Sequence, residues 1–114
     1  MIRIEIRRDA EGRIRGFTVA GHAGYDEAGK DIVCAAVSAV TIGTVNAAEA
    51  LLGADLRPET RDGYLRAEVP GGLGGETESR LQLLLESMTV MLDGIASSYG
   101  EHVALKETKV RSEN

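Results

Sequence analysis

The stretch GHAGYDEAGKDIVCAAVS, residues 21–38, decides the fold, because a strand pattern gives way to a helix pattern within it. Residues 14–20, just before it, have the composition and alternation of a strand. The run after Asp31 is rich in Ala, Val and Ile and is too long for one strand. We therefore expect a helix from Asp31 to about residue 52, with Asp31 as its capping residue. The residues between strand and helix include three glycines and show no periodicity, which predicts a mobile loop.

A second strand pattern lies at the N-terminus. Residues 2–7 alternate isoleucine with Arg or Glu, which predicts a strand with one buried face. Residues 9–12 have the composition of a turn, so the first two strands should form a hairpin that leads directly to His22. Gly16 interrupts the alternation of the second strand and predicts a bulge or a close backbone approach.

Residues 55–69 give the clearest hairpin signal in the sequence, with Asp62-Gly63 as a two-residue type I′ turn. Pro58 favours a place at or near the edge of the sheet for its strand. The register set by this turn would pair Arg61 with Tyr64, Glu59 with Arg66, Arg57 with Glu68, and Thr60, Pro58 and Leu56 with Leu65, Ala67 and Val69.

The glycine-rich run at residues 70–75 separates this hairpin from a second helix. It lacks the Lys and the Ser or Thr of a P-loop, so we interpret it as a flexible connector and not as a phosphate site. Val103 and Leu105 belong to a final strand, followed by a polar tail that we expect to fray. The apolar side chains that recur at helical spacing and form the core face of the second helix are Leu81, Leu84, Leu85, Met88, Met91, Leu92 and Ile95.

The element order ββαββαβ predicts an α+β fold with a largely antiparallel sheet of about five strands and two helices packed on one face. With no internal repeat and no linker, we expect residues 1–114 to form a single domain. Apolar residues extend well around the first helix, and its main stripe would include Leu51. Since such a helix is usually covered on more than one side, a second subunit is a plausible partner for it.

Composition excludes several classes of function. A net charge of -5 argues against direct binding of nucleic acid, which favours an excess of Lys and Arg. The alternating N-terminus does not have the pattern of a signal peptide, and we find no run of about 18 apolar residues that would span a bilayer. We therefore expect a cytoplasmic protein. One cysteine and two histidines give no paired-ligand spacing, so we predict neither a metal site nor a cofactor.

Cys34 and His22 are the candidate catalytic residues. With Asp31 as the cap, Cys34 falls in the first turn of the helix, where unpaired N–H groups and the helix dipole favour a thiolate. A neighbouring imidazolium would lower the thiol pKa further, and the thiolate is the form that attacks a carbonyl carbon. His22 follows a strand, from which it could approach the start of the helix. The pair could supply the nucleophile and the base of a cysteine hydrolase.

The residues alone leave structural interpretations open for each of these positions. A lone cysteine followed by Ala-Ala-Val is equally compatible with a packed small hydrophobe, and His22 with a loop histidine bonded to the backbone. Asp31 is better explained as a helix cap than as an orienting group for imidazole. Ser38 lies one turn after Cys34 and could line the site or bond back to a main-chain carbonyl. His102 is expected at the surface.

The motif formed by Gly21-His22-Ala23, Gly29, Asp31 and Val33-Cys34-Ala35-Ala36-Val37-Ser38 resembles the signature of the ribosomal-processing cysteine protease family Prp. The similarity covers essentially the whole chain in length and element order. Members of that family are homodimeric bacterial enzymes that remove a short N-terminal extension from a large-subunit ribosomal protein, after an aromatic residue. The resemblance thus implies a homodimer with such a precursor as its substrate.

Carried over by matching positions, the resemblance implies His22 as general base and Cys34 as nucleophile, with Asp31, Ser38 and Gly21 in supporting roles. Gly24 and Gly29 would be hinges of the loop. Backbone N–H groups at the start of the helix, including that of Cys34, are candidate oxyanion donors. The alternative is a non-catalytic, ribosome-associated interaction protein in which the cysteine is merely packed. Alkylation of the native thiol would separate the two hypotheses.

Overall fold

A computed structural model describes residues 1–110 as five strands and two helices in the predicted order. The polar tail, for which fraying is predicted, lies outside the described residues apart from Val110. The elements are β1 (Ile2–Arg8), β2 (Ile14–Ala20), α1 (Ile32–Leu52), β3 (Glu59–Arg61), β4 (Tyr64–Glu68), α2 (Gly75–Ser98) and β5 (Val103–Lys109).

The strands form one mixed sheet in the order β3-β4-β2-β1-β5. Three neighbouring pairs are antiparallel, and β5 runs parallel to β1 with Val103 opposite Ile2. The fold class predicted from the sequence is confirmed, including a largely antiparallel sheet. Local patterns do not predict which strands are neighbours, so the pairing of β2 with β4 and of β1 with β5 is new information.

The two faces of the sheet differ in chemistry. One face carries the buried isoleucines of β1 together with Phe17 and Leu65, and both helices pack over it. The opposite face carries the alternate, mostly polar residues, among them Arg3, Glu5 and Thr18, which line an open depression. The alternation in β1 therefore sorts its side chains as predicted, with isoleucine towards the core.

The close approach predicted at Gly16 is present. A Cβ added at Gly16 would lie 2.8 Å from the carbonyl oxygen of Ala67 and 2.8 Å from an Arg7 guanidinium nitrogen. The register between β1 and β2 also shifts here, because Arg7 pairs with Gly16 whereas Arg8 pairs with Ile14. Glycine leaves space for the Arg7 guanidinium, which also contacts Glu68 on the exposed face of the sheet.

The hairpin at residues 55–69 is shorter than predicted. The pairs of Glu59 with Arg66, Thr60 with Leu65 and Arg61 with Tyr64 are confirmed, and β3 is the edge strand. The pairings predicted beyond Glu59 are absent from the ladder of the described chain. Arg57 adopts a positive φ of 50°, and the amide of Glu68 donates instead to the carbonyl of Leu56.

Both helices expose part of their apolar surface. Met91 of α2 is 45% exposed, so its predicted place on the core face is wrong, and Leu51, in the apolar stripe of α1, is 73% exposed. Thr41 and Thr44 are buried instead, because each hydroxyl donates to the carbonyl four residues earlier in α1. By length and composition α1 is apolar enough to cross a membrane, contrary to the sequence-based expectation, but it packs here on the sheet and α2.

Candidate active site

Cys34 lies in the first turn of α1, as predicted. Asp31 precedes the helix with extended backbone angles, and its Oδ1 accepts hydrogen bonds from the amides of Val33 and Cys34, both at 3.0 Å. The capping role inferred from the sequence is therefore what the structure shows. The half-buried thiol sits at the end of the helix where the dipole favours negative charge.

A second hydrogen bond reaches the thiol from the loop before the helix. The backbone N–H of Ala23 donates to Sγ of Cys34 at 3.2 Å. Ala23 is only 3% exposed, whereas residues 21–22 and 24–30 around it are all exposed. A donor aimed at sulfur stabilises the thiolate relative to the thiol. The sequence carries no signal for this contact, because any residue except proline can supply the N–H.

His22 follows β2 and lies over the turn between β3 and β4. The amide of Gly21 donates to the carbonyl of Gly63 at 2.8 Å, which extends the pairing of β2 with β4 by one residue. The imidazole Nε2 of His22 is 3.8 Å from a carboxylate oxygen of Asp62, whose side chain is 98% exposed. Sequence reasoning treated Asp62 only as a turn residue. The missing information was the non-local pairing of β2 with β4.

His22 and Cys34 line two cavities that meet between the loop and α1. The first, about 520 Å³, lies under the loop, and we call it the polar cavity because the charged residues Asp26 and Asp31 line it. The second, about 310 Å³, lies over the sheet and is largely apolar. Ser38 and Asp62 line both cavities. Besides these shared residues, the second cavity is lined by Val19, Val37, Thr41, Ile42, Tyr64 and Leu65, among others.

Asp31 connects the helix start to the loop. Its second oxygen, Oδ2, accepts hydrogen bonds from the amides of Tyr25 at 2.9 Å and Asp26 at 3.3 Å. The amide of Cys34, together with those of the loop, lowers the pKa of the Asp31 carboxyl below its usual value of 3.8. Both oxygens accept from backbone amides, so Asp31 is ionised and holds loop and helix together, with no hydrogen bond to the imidazole.

The other predicted site residues lie near the same cavities. Ser38 is exposed and lines both of them, one turn after Cys34. Gly21 adopts a φ of 97°, and an added Cβ would overlap the carbonyl oxygen of Met1, so only glycine fits there. Gly24 and Gly29 line the polar cavity with positive φ. Their role as hinges remains a prediction.

His102 is not the simple surface residue that the sequence suggested. Its ring is half-buried, and Nδ1 lies 3.0 Å from the carbonyl oxygen of Ala23. The ring of Tyr25 meets His102 edge-on at 5.3 Å and Tyr99 at 5.7 Å between centroids. The end of α2 and the start of β5 therefore support the loop that precedes Cys34.

Within residues 1–110, no group of three or more His, Cys, Asp or Glu side chains has an arrangement that could hold a metal ion.

Comparison with known proteins assigns the chain to a family. The family described as "Cysteine protease Prp" matches residues 1–104. The ribosomal processing cysteine protease Prp of Bacillus subtilis is 38% identical over 105 residues, covering 90% of this chain and 94% of its own. The chain belongs to the Prp family. The Prp of Staphylococcus aureus is 34% identical over 107 residues, covering 92% of this chain and 97% of its own.

Solved structures of Prp support the same assignment. The crystal structure of the essential S. aureus Prp with a covalently linked product peptide superposes with a TM-score of 0.84 at 33% identity, covering 94% of this chain and 99% of that one. The complex of S. aureus Prp with a substrate peptide gives a TM-score of 0.79 at 31% identity, with the same coverage of both chains. The family and the enzyme class predicted from the sequence, a cysteine protease, are confirmed.

Proposed function

We propose that this protein is a cysteine endopeptidase that removes the N-terminal extension of a bacterial large-subunit ribosomal protein, with Cys34 as nucleophile and His22 as general base. The observation that carries the proposal is the placement of the Cys34 thiol. It lies in the first turn of α1 and accepts a hydrogen bond from the Ala23 N–H. Cys34 and His22 line the same two cavities. The peptide complexes of S. aureus Prp support a peptide substrate for the family.

The first half of the mechanism forms a thioester. His22 takes the thiol proton, and the Cys34 thiolate attacks the scissile carbonyl carbon. As the tetrahedral intermediate collapses, the C–N bond breaks and the imidazolium of His22 gives its proton to the departing amine. Asp62, whose carboxylate is 3.8 Å from Nε2, lies within ion-pair distance of the imidazolium formed in this step.

The second half releases the acid product. Water loses a proton to the imidazole and attacks the thioester, and the thiolate leaves. The oxyanion formed in each half needs N–H donors. The amide of Cys34, a candidate donor from the sequence, already donates to Asp31 and is free for this role only if that bond is released.

The two cavities suggest how an extended peptide lies across the site. The apolar cavity, lined by Val19, Val37, Ile42 and Leu65 among others, would accept the aromatic side chain before the scissile bond. The polar cavity lies under Gly24 to Gly29, so the loop would close over the backbone of the peptide. This placement puts the scissile bond between His22 and Cys34.

The decisive experiment incubates the protein with the ribosomal protein precursor and measures product masses. The wild type should remove the extension, and Cys34→Ala and His22→Ala should not. Circular dichroism and oligomeric state should be unchanged in both variants, because neither side chain is in the buried core. Full cleavage by Cys34→Ala would overturn the assignment of the nucleophile. An alkylating reagent should also modify native Cys34 well below pH 8.5, which a packed, inert cysteine would resist.

The exposed apolar surface of the two helices supports a homodimer as the working form. Val90 and Leu83 of α2 are both 72% exposed, and Leu51 of α1 is 73% exposed. Between the helices runs a mainly apolar groove of about 360 Å³ that includes Ala39, Gly43, Ala47 and Met91. Pairing of this surface with a second copy would remove it from water. The dimer would act in the cytoplasm, where its substrate is made.

The dimer is tested by multi-angle light scattering on Val90→Asp. A charge at this position should give a monomer, whereas Lys106→Glu, a surface change on the opposite face of the sheet, should leave the wild-type mass. A wild-type protein that runs as a monomer at micromolar concentration would contradict the dimer and leave the peptidase assignment untouched.

A further inference from the structure

We propose that His102 is a positioning residue for Cys34, acting through the backbone of Ala23. The proposal rests on the peptidase function above and assigns a role to a histidine that the mechanism does not use. Two hydrogen bonds meet at Ala23: its N–H donates to Sγ of Cys34 at 3.2 Å, and its carbonyl accepts from Nδ1 of His102 at 3.0 Å. The ring of His102 is thus two contacts away from the proposed nucleophile.

The tautomer of His102 follows from this geometry. A carbonyl oxygen only accepts hydrogen bonds, so the nitrogen beside it, Nδ1, carries the proton. Nδ1 carries a hydrogen both in this neutral tautomer and in the imidazolium, so it is a donor in both forms. The contact with Ala23 therefore persists whether or not His102 is charged.

The backbone of His102 is held firmly on both sides. Its amide donates to the carbonyl of Tyr99 at 2.8 Å, and its carbonyl accepts from the amide of Ile2 at 2.8 Å. One bond fixes it to the end of α2 and the other to the start of β1. The ring of Tyr25 packs edge-on against His102, which adds a second contact to the same loop.

The contact with His102 is the one that holds the loop at Ala23, next to the thiol. Ala23 is 3% exposed, whereas residues 24–30 are all exposed. Further along the loop, the Asp31 carboxylate accepts hydrogen bonds from the amides of Tyr25 and Asp26. Without the His102 contact, the methyl group of Ala23 would stay packed in the core, but the peptide groups on either side of it could rotate, and its N–H would point less well at sulfur. Cys34 would then react more slowly with an electrophile.

The test compares His102→Leu with His102→Asn. Asn and Leu have nearly the same shape, but Asn places an N–H donor close to the position of Nδ1. The readout is the rate of Cys34 alkylation by iodoacetamide from pH 5 to 9. At pH 6 we expect His102→Leu to react about threefold to tenfold more slowly than wild type, the range that a weakened hydrogen bond to a charged group predicts. His102→Asn should stay within about twofold of wild type on the same reasoning.

The titratable groups that share the polar cavity with the thiol are His22, Asp26, Asp31 and Asp62, and both variants keep all four. A difference between Leu and Asn at position 102 therefore reports the hydrogen bond to Ala23. Equal rates for wild type and both variants, or equal loss in both variants, would overturn the proposal. Peptide cleavage should follow the same order, with the change in kcat and not in KM.

A measurement on the wild type covers the case in which His102→Leu does not fold. In an NMR titration, the Ala23 amide proton should shift as Cys34 ionises, and the Nδ1 of His102 should keep a protonated chemical shift throughout. An unprotonated Nδ1 would overturn the proposal. Neither the alkylation rates nor the NMR titration requires cleavage, so these two readouts distinguish failure of this inference from failure of the peptidase assignment, which Cys34→Ala tests.

Discussion

Gly63 lies directly against the imidazole of His22. A Cβ added at Gly63 would be 2.7 Å from Nε2 of the ring, and the glycine has a φ of 66° in the turn between β3 and β4. Only glycine satisfies both the backbone angle and the space that the ring requires. The position of the proposed general base is therefore set by a residue on a distant hairpin.

This relationship makes Gly63→Ala a test of the ring position. We expect the added methyl group to displace the imidazole and to lower kcat/KM at least tenfold, with an additional backbone cost of about 1–2 kcal/mol in the free energy of unfolding. Gly12→Ala is the matched control, since Gly12 has a φ of 83° but nothing within 4 Å of an added Cβ. It should lose similar stability and keep its activity. Equal kcat/KM values for Gly63→Ala and Gly12→Ala would show that the His22 ring acts in catalysis from a position other than the one described.

The Asp31 carboxyl should make the stability of the protein depend on pH. Its pKa is lowered in the folded state, so the stabilisation is fully present above the unfolded value of 3.8 and is lost as pH falls through the folded value. The difference in unfolding free energy between wild type and Asp31→Asn should therefore be constant from pH 5 to 7 and shrink below pH 4. Urea titrations across this range measure it. Asp93→Asn, at an exposed position of α2, is the control, and parallel curves for all three proteins would contradict the prediction.

An ion pair between Arg8 and Glu86 joins β1 to α2. The two side chains make a bidentate contact with N–O distances of 2.6 and 2.8 Å, and the Arg8 guanidinium lowers the pKa of Glu86 below its usual 4.5. Because the Glu86 side chain is 45% exposed and solvent partly screens the pair, we expect a coupling of only about 1 kcal/mol in a double-mutant cycle of Arg8→Met and Glu86→Gln. The coupling should be present above pH 4.5 and vanish as Glu86 is protonated.

The control for this ion pair is the exposed pair of Arg80 with Glu76 on α2. It lies within one helix, so its coupling should be about 0.3–0.5 kcal/mol. Equal couplings for the two pairs at neutral pH would show that the bidentate contact between β1 and α2 adds nothing to stability.

Gly16→Ala should destabilise the sheet without affecting chemistry. The added Cβ would meet the carbonyl oxygen of Ala67 and the guanidinium of Arg7, and the backbone oxygen cannot move without straining β4. We expect a loss of about 1–3 kcal/mol in the free energy of unfolding. Gly71→Ala, with open space around it, should be neutral. Cleavage rates of both variants at low temperature should equal the wild-type rate, because Gly16 lines neither active-site cavity.

Local signals explain which parts of the fold were predictable. The bounds of β2, the cap at Asp31 and the end of α1 at Gly53 each depend on residues close together in the chain, and each prediction agrees with the structure. The place of Cys34 in the first helical turn follows from the same cap. Met91 was assigned wrongly to the core face because helical periodicity shows which side chains share a face, but not where that face stops contacting the core.

The residues that sequence reasoning missed all depend on non-local contacts. Asp62 approaches His22 only because β4 pairs with β2, and His102 approaches Ala23 only because β5 starts beside β1. Neither of these two strand pairings can be predicted from the composition or the periodicity of the sequence. The amide of Ala23 is missed for another reason, since backbone donors have no side-chain signature.

The pairing of β1 with β5 also has a consequence for how the protein folds during its synthesis. Ile2 lies opposite Val103, so this part of the sheet closes across nearly the whole chain, and contacts of such long sequence separation slow folding. During synthesis His22 and Cys34 leave the ribosome long before His102 does. The thiol is thus made well ahead of the residue that contacts Ala23. The contact between His102 and Ala23 can form only when nearly the whole chain has been made.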